Sequence, residues 1–263
     1  MGFLAAFIWW ELRAPSPMLD PHLFTQRKIS LGVTARWISF MGTSSMIFLM
    51  PFFLQNIRGY SPSEAGLIVI PGAFCLAVFG IISGRLSDRF GWRRFTIVGL
   101  TMSAVALLSF ATWLSETSSL LFIIPFIMLN SAGAGLFNSP NSSSILSAVE
   151  RGKYGVISAL TQLTRNVANV TSIAVATTIV IVTMSSLGFE PSLDAVRGAG
   201  GAEVARAFVS GMHRAYLVLG GLLLVGVVIS FFNGDRARGE KTEPVAAPVV
   251  EARTAPGESD PPG

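Results

Sequence analysis

The chain has 263 residues, of which 51% are hydrophobic and only 13% charged, with a mean hydropathy of +0.59. That balance excludes an ordinary soluble domain and points to an integral membrane protein. The net charge of +4 and pI near 9.7 do not argue for a nucleic-acid partner, because the basic residues fall in short patches between apolar runs, and the single Cys75 with the distant His22 and His213 excludes a disulfide framework and a metal cluster.

In chain order, the apolar stretch Met1 to Trp10 lacks a basic n-region and a cleavage site, and is shorter than the ~20 residues needed to span. It is read as the last turns of a helix whose beginning is missing, and residues 1–28 as that end plus a cytoplasmic linker; an interfacial anchor is the competing reading. Six spans follow, near Ser30 to Leu54, Ala65 to Ser83, Phe95 to Leu114, Leu120 to Asn138, Val156 to Met184 and Ala215 to Phe232. They form an expected six-helix transmembrane bundle over residues 29–233. Pro51, Pro71 and Pro125 are tolerable there if neighbouring helices satisfy the freed carbonyls. A soluble helical core would need charged faces that these segments lack. The connection Ser185 to Met212 carries nothing resembling a catalytic site, and Glu203 to Met212 is expected as a short surface helix. Residues 234–263, rich in Pro, Ala, Glu and Gly, have too little apolar surface to fold and are expected to be a disordered cytoplasmic tail.

Counting charges orients the bundle. One side collects Arg13, Arg27, Lys28, Arg85, Arg89, Arg93, Arg94, Arg151, Lys153, Arg236, Arg238, Lys241 and Arg253, thirteen of the nineteen basic residues, and the other only Arg58, Arg197, Arg206 and Arg214. The positive-inside rule puts the first side, and the C-terminus, in the cytoplasm of a multi-pass protein of the plasma or inner membrane. Arg36 and Arg165 lie within spans. Arg36 is near enough to a cytoplasmic end to be read as snorkelling to the surface.

Two stretches carry candidate function. Gly84 to Arg94 is a charged turn between apolar runs, with Gly84 and Gly91 placed to suit positive φ and Asp88 able to accept hydrogen bonds from the arginines around it. Gly84, Asp88, Arg89, Gly91, Arg93 and Arg94 are therefore a candidate cytoplasmic gating loop, against the plainer reading of a solvated positive-inside turn. In the fifth span, Ser158, Gln162, Arg165, Asn166, Asn169 and Ser172 recur at three- and four-residue intervals and form one polar stripe. An arginine at the bilayer centre costs ~2.5 to 3.5 kcal/mol on insertion scales, so the stripe is expected to line a wet cavity, with a packing seam as the competing reading. Asn130, Asn138 and Asn141 share a face of the fourth span; Asn130 is expected to join that cavity, and the other two either to join it or to cap the helix. Gly80, Gly84, Gly133, Gly135, Gly220, Gly221 and Gly226 read as close-packing positions. No carboxylate lies deep in a span, so a membrane-embedded proton carrier must come from elsewhere.

The spacing G-x-L-x-D-R-x-G-x-R-R at 84–94 resembles the cytoplasmic loop signature of the major facilitator superfamily. Leu54-Gln55-Asn56-Ile57-Arg58-Gly59-Tyr60-Ser61-Pro62 with Ala65-Gly66-Leu67 and Pro71, then Gly133 to Phe137 with Pro140, then Thr164-Arg165-Asn166, narrow the resemblance to the C-terminal half of fourteen-helix drug:proton antiporters of the EmrB/QacA type. It implies an all-α membrane protein, half of a major facilitator fold, working in secondary export of drugs or other lipophilic small molecules by alternating access. The proton is the implied coupling ion, with the lipid bilayer and a missing N-terminal half or second chain as partners. No cofactor, metal or enzymatic activity is implied. Arg165-Asn166-Val167-Ala168 departs from the family's Arg-x-x-Gly, so a packing glycine is absent there. A metabolite importer or exporter of the same superfamily and a non-transporting assembly or regulatory subunit are the other readings.

Overall fold

The computed structural model describes residues 27–147, 149, 152, 154–189 and 202–232. Six helices stand among them: α1 (Arg27–Asn56), α2 (Pro62–Phe90), α3 (Trp92–Trp113), α4 (Leu120–Leu146), α5 (Tyr154–Ser186) and α6 (Ala202–Phe232). Each contains a window long and apolar enough to cross a membrane, and no strand occurs among the described residues. The expected preceding helix and linker up to residue 26, and the tail from 233 onward, lie outside the described residues, as does the stretch 190–201.

Short connections make the helices antiparallel neighbours. At one end of the bundle, the α1–α2 connection turns on Gly59 at φ 73°, where the Tyr60 amide donates to the Leu54 carbonyl at 3.0 Å. Ser61 then closes a capping box with Glu64, ahead of Pro62 in the first helical turn. The run from Leu54 to Pro62 is thus spent on a turn and a cap. Arg58 donates to the Glu116 carbonyl at 2.8 Å, Arg206 pairs with the Glu116 carboxylate at 3.7 Å, and His213 Nε2 lies 2.5 Å from the Leu114 carbonyl. The α1–α2 connection, the α3–α4 connection and the first turns of α6 therefore meet at that end.

Packing is uneven. α2 lies chiefly along α4, α3 along α4 and α6, and α1 along α5 and α6, while α4 and α5 barely touch. The core runs through the α1, α3, α4 and α6 faces, with Phe53, Leu107, Phe110, Tyr216 and Phe208 fully buried. Helix approach in the middle of α4 depends on missing side chains. A Cβ on Gly133 would stand 2.5 Å from the Gly99 carbonyl oxygen, and one on Gly135 would stand 2.7 Å from the Leu76 carbonyl oxygen. Gly80 belongs to the same contact, its amide nitrogen 3.0 Å from the Cβ that Gly135 lacks, whereas Gly221 has nothing within 4 Å of an added Cβ. Outward faces of α2, α5 and α6 stay apolar, as at Leu67, Phe74, Val170 and Val225, which suits lipid or another membrane-embedded surface.

Three expectations about local structure need correction. The stretch 84–90 is helical, so the reversal is confined to Gly91 at φ 85°, and Gly84 serves close approach to Ser139, 2.9 Å from a would-be Cβ, instead of positive φ. α4 runs on to Leu146 through Pro140, so Asn138 and Asn141 are interior to the helix and do not cap it. Residues 203–212 form no separate surface helix but the first turns of α6.

Candidate functional site

Because α4 and α5 hardly meet, a gap opens between the α1/α5 pair and the α2/α4 pair. A cavity of about 700 Å³ occupies it, lined from α1, α2, α4 and α5 and by nothing from α3 or α6. α1 presents Arg36, Phe40, Thr43, Ser44 and Ile47, one face at helical spacing. α5 presents Gln162, Arg165, Asn169 and Ile173, again one face. Leu76 and Gly80 of α2, and Ala134, Asn138, Ser139 and Ser142 of α4, close the remaining sides.

Of the sequence-derived cavity residues, Gln162, Arg165 and Asn169 are brought together here. Asn166 is exposed but is not part of the lining, because it stands a helical step off the face shared by 162, 165 and 169. Asn130 is buried on the far side of α4, where Ser103 of α3 donates to its backbone carbonyl at 3.2 Å; its own Oδ1 has no partner. The α5 stripe divides along its length. Ser172 is fully buried and donates to the Met41 carbonyl at 2.5 Å, and Asn169 accepts a hydrogen bond from Ser44. Deeper positions thus seam α5 to α1, while Arg165 and Gln162 stay exposed.

Arg36 does not snorkel. It is only 8% exposed, and its guanidinium donates to Ser142 Oγ and, at 3.4 Å, to the Asn138 carbonyl, bridging α1 to α4 across the cavity. Ser142 in turn donates to the same Asn138 carbonyl at 2.8 Å. Phe40 lies between the two arginines, its ring centroid 5.9 Å from Arg36 Cζ and 5.5 Å from Arg165 Cζ. Among the described residues, no Asp, Glu or His lines the cavity. The available signal for Arg36 was the 36, 40, 43, 47 periodicity, which marks one face of α1 as mixed polar and aromatic.

The charged end is built differently. Asp88 stands on α2, but its side chain lies outside the described residues. Arg85, Arg89 and Arg94 are exposed, whereas Arg93 stacks on the Phe231 ring, 4.8 Å from Cζ to centroid, and donates to the Phe231 carbonyl at the end of α6. That carbonyl belongs to the last helical turn, where a cation is favourable. Gly91, with its amide on the Ser87 carbonyl at 2.9 Å, sets the turn that aims Arg93 there.

Six membrane-length helices, four of them lining a two-arginine cavity, define an integral membrane protein with room for a small solute. The chain belongs to the Major Facilitator Superfamily, whose family model matches residues 1–173. It is 27% identical over 231 residues to the lincomycin resistance protein LmrB of Listeria monocytogenes, covering 87% of this chain and 47% of that protein. It is 29% identical over 190 residues to the multidrug resistance protein Stp of Mycobacterium tuberculosis, covering 72% of this chain and 35% of that one. The chain thus spans half or less of the length of these relatives. The crystal structure of a bacterial homolog of the human lysosomal transporter Spinster, inward-facing and occupied, superposes with a TM-score of 0.64 over 88% of this chain and 54% of its own, at 19% identity, a likeness of fold.

Proposed function

We propose that the chain forms the C-terminal half of a secondary multidrug exporter of the fourteen-helix drug:proton antiporter type. The observation that carries this reading is the cavity between α1, α2, α4 and α5, whose polar lining lies inside membrane-spanning segments. A half-bundle with such a cavity on one side suits alternating access, in which two repeats rock about a site between them. The relatives' names, lincomycin resistance and multidrug resistance, favour drugs as cargo. Gln162, Arg165 and Asn169 would contact the substrate, with the buried Asn130 acting through helix packing and the exposed Asn166 standing beside the lining face. Gly84, Asp88, Arg89, Gly91, Arg93 and Arg94 would form the cytoplasmic latch; the Arg93 tie between α3 and the end of α6 favours a role in moving these helices as one unit. The proton is the proposed coupling ion, carried by residues outside this chain.

The test is export by the transporter containing this chain in an efflux-deficient bacterium, using a panel of lipophilic dyes of positive, zero and negative charge. Lower accumulation of at least one dye, restored by an uncoupler, is expected. Equal accumulation of every dye with and without the transporter would overturn export, and export indifferent to the uncoupler would overturn proton coupling.

A further inference from the structure

We infer that Arg36, Phe40 and Arg165 make an anion-recognition site, and that the cavity's ligand is an organic anion with an apolar body. This rests on reading the cavity as the substrate's. Arg36 is more than nine-tenths buried, and its guanidinium is held in place by Ser142 and the Asn138 carbonyl while its buried Nε has no partner. Arg165 faces the same Phe40 ring from α5. Among the described residues, no acidic side chain lines the cavity to neutralise the two guanidinium groups. An unneutralised pair of like charges at membrane depth favours an anion and disfavours a cation. Planar guanidinium forks suit carboxylate, sulfonate and phosphate oxygens.

The cavity's size and second wall select a free molecule over a carboxylate side chain reaching in from a facing surface. About 700 Å³ falls in the range of drug-sized sites, and Ile47, Phe48, Leu76 and Ile173 give it an apolar wall that a lone carboxylate would leave unfilled. The anionic group would lie between the arginines and the apolar body along that wall.

Equilibrium binding of two radiolabelled probes to the purified chain in non-ionic detergent tests this. Naphthalenesulfonate and naphthyltrimethylammonium share an aromatic body and carry permanent charges of opposite sign. Naphthalenesulfonate should bind at least tenfold more tightly than the cation. R165Q should weaken it about ten- to hundredfold, the range for losing a charge-assisted hydrogen bond. R165K should retain most of the preference for the anion, whereas a merely structural arginine would leave charge selectivity unmoved. Because Arg165 is exposed, R165Q should fold even if R36Q does not. Equal binding of the two probes, or naphthalenesulfonate binding indifferent to R165Q, would overturn the inference. Export of neutral or cationic dyes would then still stand, so failure here is distinct from failure of the exporter reading.

Discussion

At the scale of single residues, the structure separates glycines that read alike in sequence. Gly99 and Gly133 let α3 and α4 touch backbone to backbone: a Cβ on Gly99 would stand 2.5 Å from the Gly133 carbonyl oxygen and 2.8 Å from the Phe137 amide nitrogen. Backbone atoms cannot swing away as a flexible side chain can. Gly99→Ala should therefore cost about 1–3 kcal/mol, in the range for overpacking, and lower the Tm of the purified chain in detergent. Gly221→Ala meets nothing within 4 Å and replaces a poor helix former with a good one, so its Tm should be unchanged or slightly higher. Equal melting of the two variants would show that the α3–α4 contact yields more easily than its geometry implies. Gly99 carries no mark in the sequence that distinguishes it from Gly221, because close approach is a property of two helices and each glycine displays only its own.

At the scale of elements, the six spans are legible because each holds a stretch of about twenty residues that is apolar on average, a signal that needs no partner. Their ends are less so. Helix past the hydrocarbon boundary is held by its own hydrogen bonds, and 84–90 and 139–146 are too polar to register as span. The site divides along the same line. Gln162, Arg165 and Asn169 share one helix and were found by period alone, whereas the tie from Arg36 to Ser142 joins residues 106 apart and leaves no local pattern. The division of α5 into a wet face and a seam can be read by cysteine scanning in a background with Cys75 replaced. Cysteines at Gln162 and Arg165 should react with a water-soluble thiol reagent, while those at Ala168 and Ala176, both 0% exposed, should be protected. Asn169, half-buried and bonded to Ser44, should react more slowly than Gln162. Uniform protection along the helix would mean that the whole stripe is a seam.

At the scale of the whole molecule, the two ends of the bundle have different bonding, and the proposed movement should load them differently. The end holding Glu116 is cross-tied by Arg58, Arg206 and His213, so it suits a rigid grouping of three segments. The opposite end has a single described tie between α3 and α6, through Arg93, beside exposed Arg85, Arg89 and Arg94 that are free to meet a moving partner. Asp88→Asn keeps the size and the helix of that region while removing one charge. Transport by the complete transporter should fall severalfold with membrane insertion, measured by the amount of protein in the membrane fraction, unchanged. Undiminished transport would remove Asp88 from the latch.

Proton coupling sets a further condition on the whole molecule, because a group that senses pH must titrate in the working range. Among the described residues, the charged lining of the cavity is Arg36 and Arg165, and no Asp, Glu or His lines it. The described histidine, His213, sits beside Leu114 at the cross-tied end, away from the cavity. A sulfonate probe keeps its charge between about pH 5.5 and 8, the interval in which a carboxylate or imidazole in the lining would make binding vary. Naphthalenesulfonate binding to this chain should accordingly be flat across that range. If transport nevertheless varies with pH, the titrating group would lie outside the described lining of this cavity. Binding that weakened by more than about threefold across the interval would place a titrating group within reach of the two arginines.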